Sequence, residues 1–123
     1  DMDWHTQTTP RPDIDVIKFE DSCLDKIGLI PEIISRYRSP YFQHIFAGGY
    51  SSGYYSYIWA EVLDADAFEA FKETDDIFNQ KIATAFRENI LERGGTEEPM
   101  KLYKKFRGRK PSIEPLLKRR GLK

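Results

Sequence analysis

One apolar segment constrains the fold more than any other part of the chain. Residues 54–72 contain neither glycine nor proline, and Ala, Leu, Phe and Trp are frequent among them. Because nothing interrupts the helical period, we predict one long helix that is apolar around most of its circumference. Such a helix is buried on more than one side, so we expect part of it to pack against structure outside this sequence.

Shorter helices are predicted on both sides of this segment. Their starting positions carry residues that cap or begin helices: Asp13, Pro31, Asn79, Thr96 and Ser112, with a further short piece at residues 41–46. No segment keeps the alternating pattern of a strand, so the predicted fold class is all-α with five or six helices. We expect residues 1–123 to form a single helical unit in which residues 1–12 are an extended lead-in.

Charge and cysteine content narrow the range of functions. The net charge is −1, so the chain as a whole favours neither nucleic acid nor an anionic membrane. Residues 101–123 carry ten basic side chains and one acidic one, which we expect to pair with acidic surface elsewhere in the fold. The alternative is a non-catalytic helical binding module that uses this basic C-terminal face. No apolar run reaches membrane-spanning length, and a single cysteine fits a reducing compartment.

Common catalytic motifs are missing from the sequence. The two histidines, His5 and His44, lie far apart and neither belongs to H-E-x-x-H, so we expect no complete zinc site within the chain. The glycine spacing matches neither the dinucleotide-binding motif nor the P-loop. Cys23 falls on the inner side of a predicted helix, which favours a structural role over a nucleophilic one.

The most unusual stretch places three glycines and four tyrosines behind one histidine. The glycines predict a loop over residues 47–53. Tyrosine hydroxyls and histidine ring nitrogens can donate hydrogen bonds to an oxyanion, and a flexible loop beside them could close on a substrate. Tyr54 and Tyr55 are predicted to be core residues of the long helix. For Tyr50 and Tyr57, the residues alone leave packing and substrate contact equally open.

This stretch also carries a resemblance. The sequence YFQHIFAGGYSSGYYSYIWAEVL, residues 41–63, closely resembles a signature of the thimet oligopeptidase-like zinc metallopeptidases. Within that family it is most similar to the peptidyl-dipeptidase (dipeptidyl carboxypeptidase) and oligopeptidase A branch. Other segments resemble the C-terminal region of the family in the same order, so that nearly the whole chain is covered: DMDWH at 1–5, IFN at 77–79, FRENILERGG at 86–95, FRGR at 106–109 and LLKRRGL at 116–122.

The resemblance implies a role for each part of the loop region. Three side chains would bind the peptide substrate and stabilise the oxyanion: His44, Tyr50 and Tyr57. The flexible substrate loop would contain Gly48, Gly49 and Gly53. In the family, the zinc ligands and the general base come from an H-E-x-x-H helix and a later Glu, both upstream of this region. We therefore expect the C-terminal portion of a zinc-dependent peptidyl-dipeptidase, which binds no zinc and cleaves nothing without the upstream catalytic domain.

Some assignments stay open at this point. A purely structural fragment with all its tyrosines packed would carry the same sequence pattern. Arg36 and Arg38 could hold a substrate carboxylate or be ordinary surface cations. At residues 75–76, similar sequences often carry glycine, so a turn there could differ. The expected compartment is the cytoplasm, with the periplasm also open, and no nucleic acid or membrane partner is expected.

Overall fold

The computed structural model describes residues 1–123 and contains helices and turns but no strand. This confirms the all-α prediction. Six α-helices are accompanied by two 3₁₀ helices and one π-helical segment: α1 (Met2–His5), α2 (Val16–Lys26), α3 (Ser56–Lys72), α4 (Gln80–Phe86), α5 (Pro99–Arg107) and α6 (Glu114–Arg119), with 3₁₀ helices at Ser39–Tyr41 and Gln43–Ile45 and the π-helical segment at Arg87–Leu91. The chain divides into two compact units, Asp1–Ser56 and Tyr57–Lys123. A single helical unit over the whole chain stays a prediction.

The first unit begins with a helical turn where an extended lead-in was predicted. α1 is tied at both ends, because Nδ1 of His5 lies 2.9 Å from the carbonyl oxygen of Asp1 and 2.9 Å from its Oδ1. Trp4 packs on Phe19 with 4.3 Å between the ring centroids. These contacts stabilise a helix too short to form by propensity alone. The prediction of an extended lead-in is therefore wrong for residues 2–5.

α2 starts two residues later than predicted. The carboxylate of Asp15, and not that of Asp13, accepts hydrogen bonds from two backbone N–H groups of the first turn, at 3.2 and 3.1 Å. Gly28 follows the helix with φ +71°, a conformation that favours glycine. Burial, together with a hydrogen bond to Asp3, raises the pKa of Cys23, so this side chain stays a protonated thiol. That state agrees with a structural role.

The short helix predicted to begin at Pro31 is absent. Residues 31–33 form a turn instead. Ile33 and Ile34 stay exposed, so no apolar face is buried that would stabilise a helix of this length.

Two 3₁₀ helices, Ser39–Tyr41 and Gln43–Ile45, replace the single short piece predicted for residues 41–46. The first of them is held by Glu20 of α2, a buried carboxylate whose Oε2 accepts hydrogen bonds from the backbone N–H and Oγ of Ser39 at 2.6 and 2.8 Å. The indole N–H of Trp4 donates to the same Oγ at 2.9 Å. Because a buried carboxylate is costly unless it is hydrogen-bonded, these contacts fix the backbone at this point.

α3 in the second unit is the long helix predicted for residues 54–72, with 17 residues beginning at Ser56. Its buried residues within this unit are Val62, Ala65, Asp66, Ala67 and Ala70. Larger apolar side chains remain about half exposed, among them Ile58, Trp59 and Phe68. Its neighbours in the unit thus leave part of its apolar surface uncovered. Neither α3 nor any shorter helix is long and apolar enough to cross a membrane.

Two of the remaining helices of the second unit, α4 and α5, are capped by side chains. Oδ1 of Asn79 accepts a hydrogen bond from the first turn of α4 at 3.2 Å, as predicted. α5 is capped by Glu98, whose carboxylate accepts two backbone N–H groups at 3.0 Å, so the prediction of Thr96 as the cap is wrong. Gly108 ends α5 with φ +77°. The N-cap of α6 is Ile113 and not the predicted Ser112, although Oγ of Ser112 accepts the backbone N–H of Glu114 at 3.2 Å.

A buried carboxylate connects α3 to the end of α5. Asp66 is fully buried, and it accepts hydrogen bonds from the hydroxyl of Tyr103 and from Arg109, each at 2.7 Å. Burial alone would raise its pKa, but these hydrogen bonds and the charges of Arg109 and Arg107 outweigh that effect and hold the pKa of Asp66 below its ordinary value. Burial and the hydrogen bond to Asp66 raise the pKa of Tyr103. At neutral pH the pair is therefore a carboxylate and a neutral phenol.

Candidate functional site

An aromatic groove of about 360 Å³ lies on the first unit beside the predicted loop. Seven residues line it: Tyr37, Tyr41, Phe42, Gln43, His44, Ala47 and Gly48. The rings of Tyr37 and Phe42 stack with 4.9 Å between centroids and 23° between planes. The lining contains no carboxylate, lysine or arginine, so no fixed charge of the groove itself opposes a ligand of either sign.

Two of the three predicted donors lie together, and one of them, His44, lines this groove. The rings of His44 and Tyr50 meet edge to face with 4.7 Å between centroids. His44 also contacts Tyr54 at 5.7 Å, and Tyr54 packs against Phe42 at 4.9 Å. Tyr54 is half-buried in these contacts, but it lies before α3, so its prediction as a core residue of the long helix is wrong. These contacts hold the imidazole of His44 between two phenol rings at the wall of the groove.

The loop over residues 47–53 depends on glycine at two of the three predicted positions. Gly48 and Gly49 have φ +81° and +85°, where any other residue type would be strained. Gly53 has no such requirement, since a Cβ there would meet only backbone atoms of Tyr50 and Ser51 at ordinary contact distances of 3.6 Å or more.

Asp1 holds the end of this loop, and the sequence alone gave it no role. Its Oδ1 accepts the backbone N–H of Ser52 at 3.0 Å, and its Oδ2 accepts that of Tyr54 at 2.9 Å. The side chain of Asp1 is only 11% exposed. Ser52 has φ +56° although it is not glycine, and the hydrogen bond offsets part of the cost of that conformation. The carboxylate thus fixes the backbone between the loop and α3.

The third predicted donor, Tyr57, belongs to the second unit. It lies in the first turn of α3 and is 43% exposed. Tyr55 is 62% exposed, so the prediction of a core residue is wrong there. The reason is that α3 begins only at Ser56, so Tyr55 precedes the helix whose core it was predicted to join.

The basic C-terminal residues are mostly engaged in ion pairs. Of the ten basic side chains in residues 101–123, six contact carboxylates of the same unit. The pairs are Lys105–Glu97, Arg107–Glu73, Arg109–Asp66, Arg119–Asp64, Arg120–Glu61 and Lys123–Glu114. This confirms that the basic run pairs with acidic surface, and it reduces the charge that a binding module for nucleic acid would need.

Comparison with known proteins identifies the family. Residues 1–122, nearly the whole chain, match the family model described as Peptidase family M3. The chain belongs to peptidase family M3. The family predicted from the segment at residues 41–63 is therefore confirmed.

Relatives within family M3 include both enzymes of the predicted branch. The chain is 57% identical over 82 residues to oligopeptidase A of Escherichia coli (strain K12), a match covering 67% of the chain and 12% of that protein. It is 42% identical over 123 residues to dipeptidyl carboxypeptidase of the same organism, covering 99% of the chain and 18% of that protein. It is 44% identical over 125 residues to the organellar oligopeptidase A, chloroplastic/mitochondrial, of Arabidopsis thaliana. This match covers 99% of the chain and 16% of that protein. The chain spans less than a fifth of the length of these relatives.

Family M3 is zinc-dependent, but the residues of this chain do not fit a zinc ion. A catalytic zinc takes three protein ligands, and no three His, Cys, Asp or Glu side chains are grouped so that they could hold a metal. The two histidines are in different surroundings: His5 pairs with Asp1, and His44 packs on Tyr50. The residues of this chain therefore form no complete zinc site.

Proposed function

We propose that this chain is the part of a family M3 peptidase that binds the peptide substrate and stabilises the oxyanion formed during hydrolysis. The donors are His44, Tyr50 and Tyr57. The flexible substrate loop is residues 47–53, with Gly48, Gly49 and Gly53. The whole enzyme is proposed to be a zinc-dependent peptidyl-dipeptidase acting on oligopeptides.

The observation that carries the proposal is the contact between His44 and Tyr50 at the aromatic groove. A histidine that lines a groove and packs on a phenol 4.7 Å away is suited to contact a bound peptide. The adjacent Gly48 and Gly49 give the backbone the freedom that a closing loop needs. Tyr57 is included among the donors because it matches the family motif and because it is partly exposed on α3.

The chemistry asked of these residues is hydrogen-bond donation. As a peptide carbonyl becomes tetrahedral, negative charge grows on its oxygen, and donors already in place stabilise that charge more than they stabilise the ground state. Tyrosine hydroxyls can donate at neutral pH, and a histidine ring nitrogen that carries a proton can do the same. Each well-placed donor contributes about 3 kcal/mol to the stability of the transition state.

The zinc-bearing part of the enzyme is proposed to be the upstream polypeptide, which is the main partner of this chain. When bound there, zinc supplies the activation of the attacking water. Without that part, residues 1–123 are proposed to be inactive. We place the enzyme in the cytoplasm, which is supported by the name of one relative, a probable cytosolic oligopeptidase A of Arabidopsis thaliana.

Substitution of Tyr57 in the full-length enzyme tests the proposal. We expect Tyr57→Phe to lower kcat by about 100- to 1000-fold while KM changes little, because one oxyanion donor is lost and the ring is kept. Tyr55→Phe is the matched control: it removes another exposed phenol two residues away and should leave kcat within about twofold. Steady-state kinetics on one peptide gives both values. Equal kcat for Tyr57→Phe and the wild type would refute the assignment.

A further inference from the structure

Two arginines, Arg36 and Arg38, flank the groove residue Tyr37 in the sequence, and their surroundings differ. Nε of Arg38 lies 2.6 Å from Oε1 of Glu20, and Nη2 of Arg38 lies 3.1 Å from Oδ1 of Asp21. With two carboxylates against it, this guanidinium has little capacity left for another anion. Arg38 is therefore a structural cation that helps Glu20 hold the backbone of the groove.

Arg36 is exposed and makes no ion pair. Its guanidinium carbon lies 5.2 Å from the centroid of the Tyr37 ring, within the range of a cation–π contact. A cation–π contact leaves the charge of the guanidinium without a counter-ion, and its N–H groups match the two oxygens of a carboxylate. The contact with Tyr37 thus restrains the Arg36 guanidinium without neutralising its charge.

Tyr37 connects this charge to the groove. It lines the groove, it stacks on Phe42 at 4.9 Å, and His44 lines the same groove. A peptide lying in the groove would therefore have the proposed oxyanion donor His44 against it and the Arg36 guanidinium beside the rim formed by Tyr37. Because the lining carries no lysine, arginine or carboxylate, the groove itself supplies no fixed charge to a bound peptide.

We propose that Arg36 binds a carboxylate of the peptide substrate and so selects which peptides are cleaved. This rests on the proposed function, since it takes the groove as the place where the peptide lies. Two carboxylates of a peptide have the required chemistry: the C-terminal carboxylate and the side chain of an Asp or Glu. Either would form charge-assisted hydrogen bonds with the guanidinium.

Three peptides of otherwise equal sequence test the proposal in the full-length enzyme: one with a free C-terminal carboxylate, one with a C-terminal amide, and one with a C-terminal amide and a Glu near that end. We expect Arg36→Gln to lower kcat/KM by about tenfold or more for a carboxylate-bearing peptide and to leave the plain amide within about twofold. A loss confined to the first peptide identifies the terminal carboxylate, and a loss confined to the third identifies the side chain. Arg36→Lys keeps the positive charge but not the paired N–H donors of the guanidinium, so we expect it to lower kcat/KM less than Arg36→Gln does.

The matched control is Arg11→Gln, which removes another exposed, unpaired arginine of the same unit and should change none of the three rates. An equal fall with Arg36→Gln on all three peptides, or no fall on any, would overturn the proposal. Tyr57→Phe separates this outcome from failure of the proposed function, because loss of an oxyanion donor lowers the rate for all three peptides alike. If Tyr57→Phe lowers all three rates and Arg36→Gln lowers none, only the assignment of Arg36 fails.

Discussion

The hydrogen bonds from the loop to Asp1 lead to a sharp prediction about loop opening. Each oxygen of this carboxylate accepts one backbone N–H, from Ser52 at 3.0 Å and from Tyr54 at 2.9 Å. Asp1→Asn keeps the size of the side chain but replaces one acceptor oxygen by an NH₂ group. One of the two backbone N–H groups would then face a donor and lose its partner.

The magnitude follows from the burial of this side chain. Because it is only 11% exposed, water cannot easily replace the lost acceptor. A hydrogen bond to a charged group contributes about 1.5–3 kcal/mol, so the substitution should favour the open loop by about that amount. The population of the open loop should rise by about 10- to 150-fold.

Amide hydrogen exchange in the full-length enzyme measures this population. Peptides that contain residues 51–55 should exchange faster in Asp1→Asn by the same factor, while peptides from α5 should be unaffected. Asp13→Asn is the matched control, since Asp13 is exposed and makes no ion pair. Unchanged exchange at residues 51–55 in Asp1→Asn would show that the carboxylate does not hold the loop.

Two further predictions concern the stability of the second unit. The raised pKa of Tyr103 means that its buried neutral phenol contributes stability below the ordinary tyrosine pKa of 10.0 and that this contribution is lost as the pH rises above 10. Denaturant titrations between pH 9 and about 11 should show a steeper fall in the free energy of unfolding for the wild type than for Tyr103→Phe, and equal slopes would contradict the argument. Asp75 has φ +56°, so Asp75→Gly should relieve left-handed strain and stabilise the protein by about 0.5 kcal/mol in the same assay, whereas a loss of stability would count against it.

The sequence predicts that these helices form more reliably than it predicts the residue at which each one begins. α3 is evident because residues 54–72 contain no glycine or proline, and the cap at Asn79 is evident because Asn79 stands at the start of the apolar period that continues through Ile82 and Phe86. Where two capping residues lie two positions apart, as Asp13 and Asp15 do, their propensities are nearly equal. The choice then depends on which carboxylate reaches the free N–H groups, and that is decided by the path of the chain before the helix.

The site was predictable only in part, for a related reason. The motif around His44 and Tyr50 is continuous in sequence, so its resemblance to a family could be recognised. The contacts that hold the groove and loop join residues far apart: Glu20 meets Ser39 across 19 positions, and Asp1 meets Ser52 across 51. The local periodicity of the sequence does not indicate contacts between residues so far apart. Acidic residues of this kind look like ordinary surface charges until the fold shows that they are buried.

The two tryptophans give the molecule a built-in pair of optical probes. Trp4 lies in the first unit, where its indole N–H donates to Ser39 and its ring packs on Phe19. Trp59 lies in the second unit and is 45% exposed. A packed, hydrogen-bonded indole and a half-exposed one differ in emission wavelength and in access to quenchers. In a Trp59→Phe variant, the remaining Trp4 signal would come from the residue that hydrogen-bonds Ser39, in the 3₁₀ helix whose Tyr41 lines the groove, so changes there could be followed without an attached label.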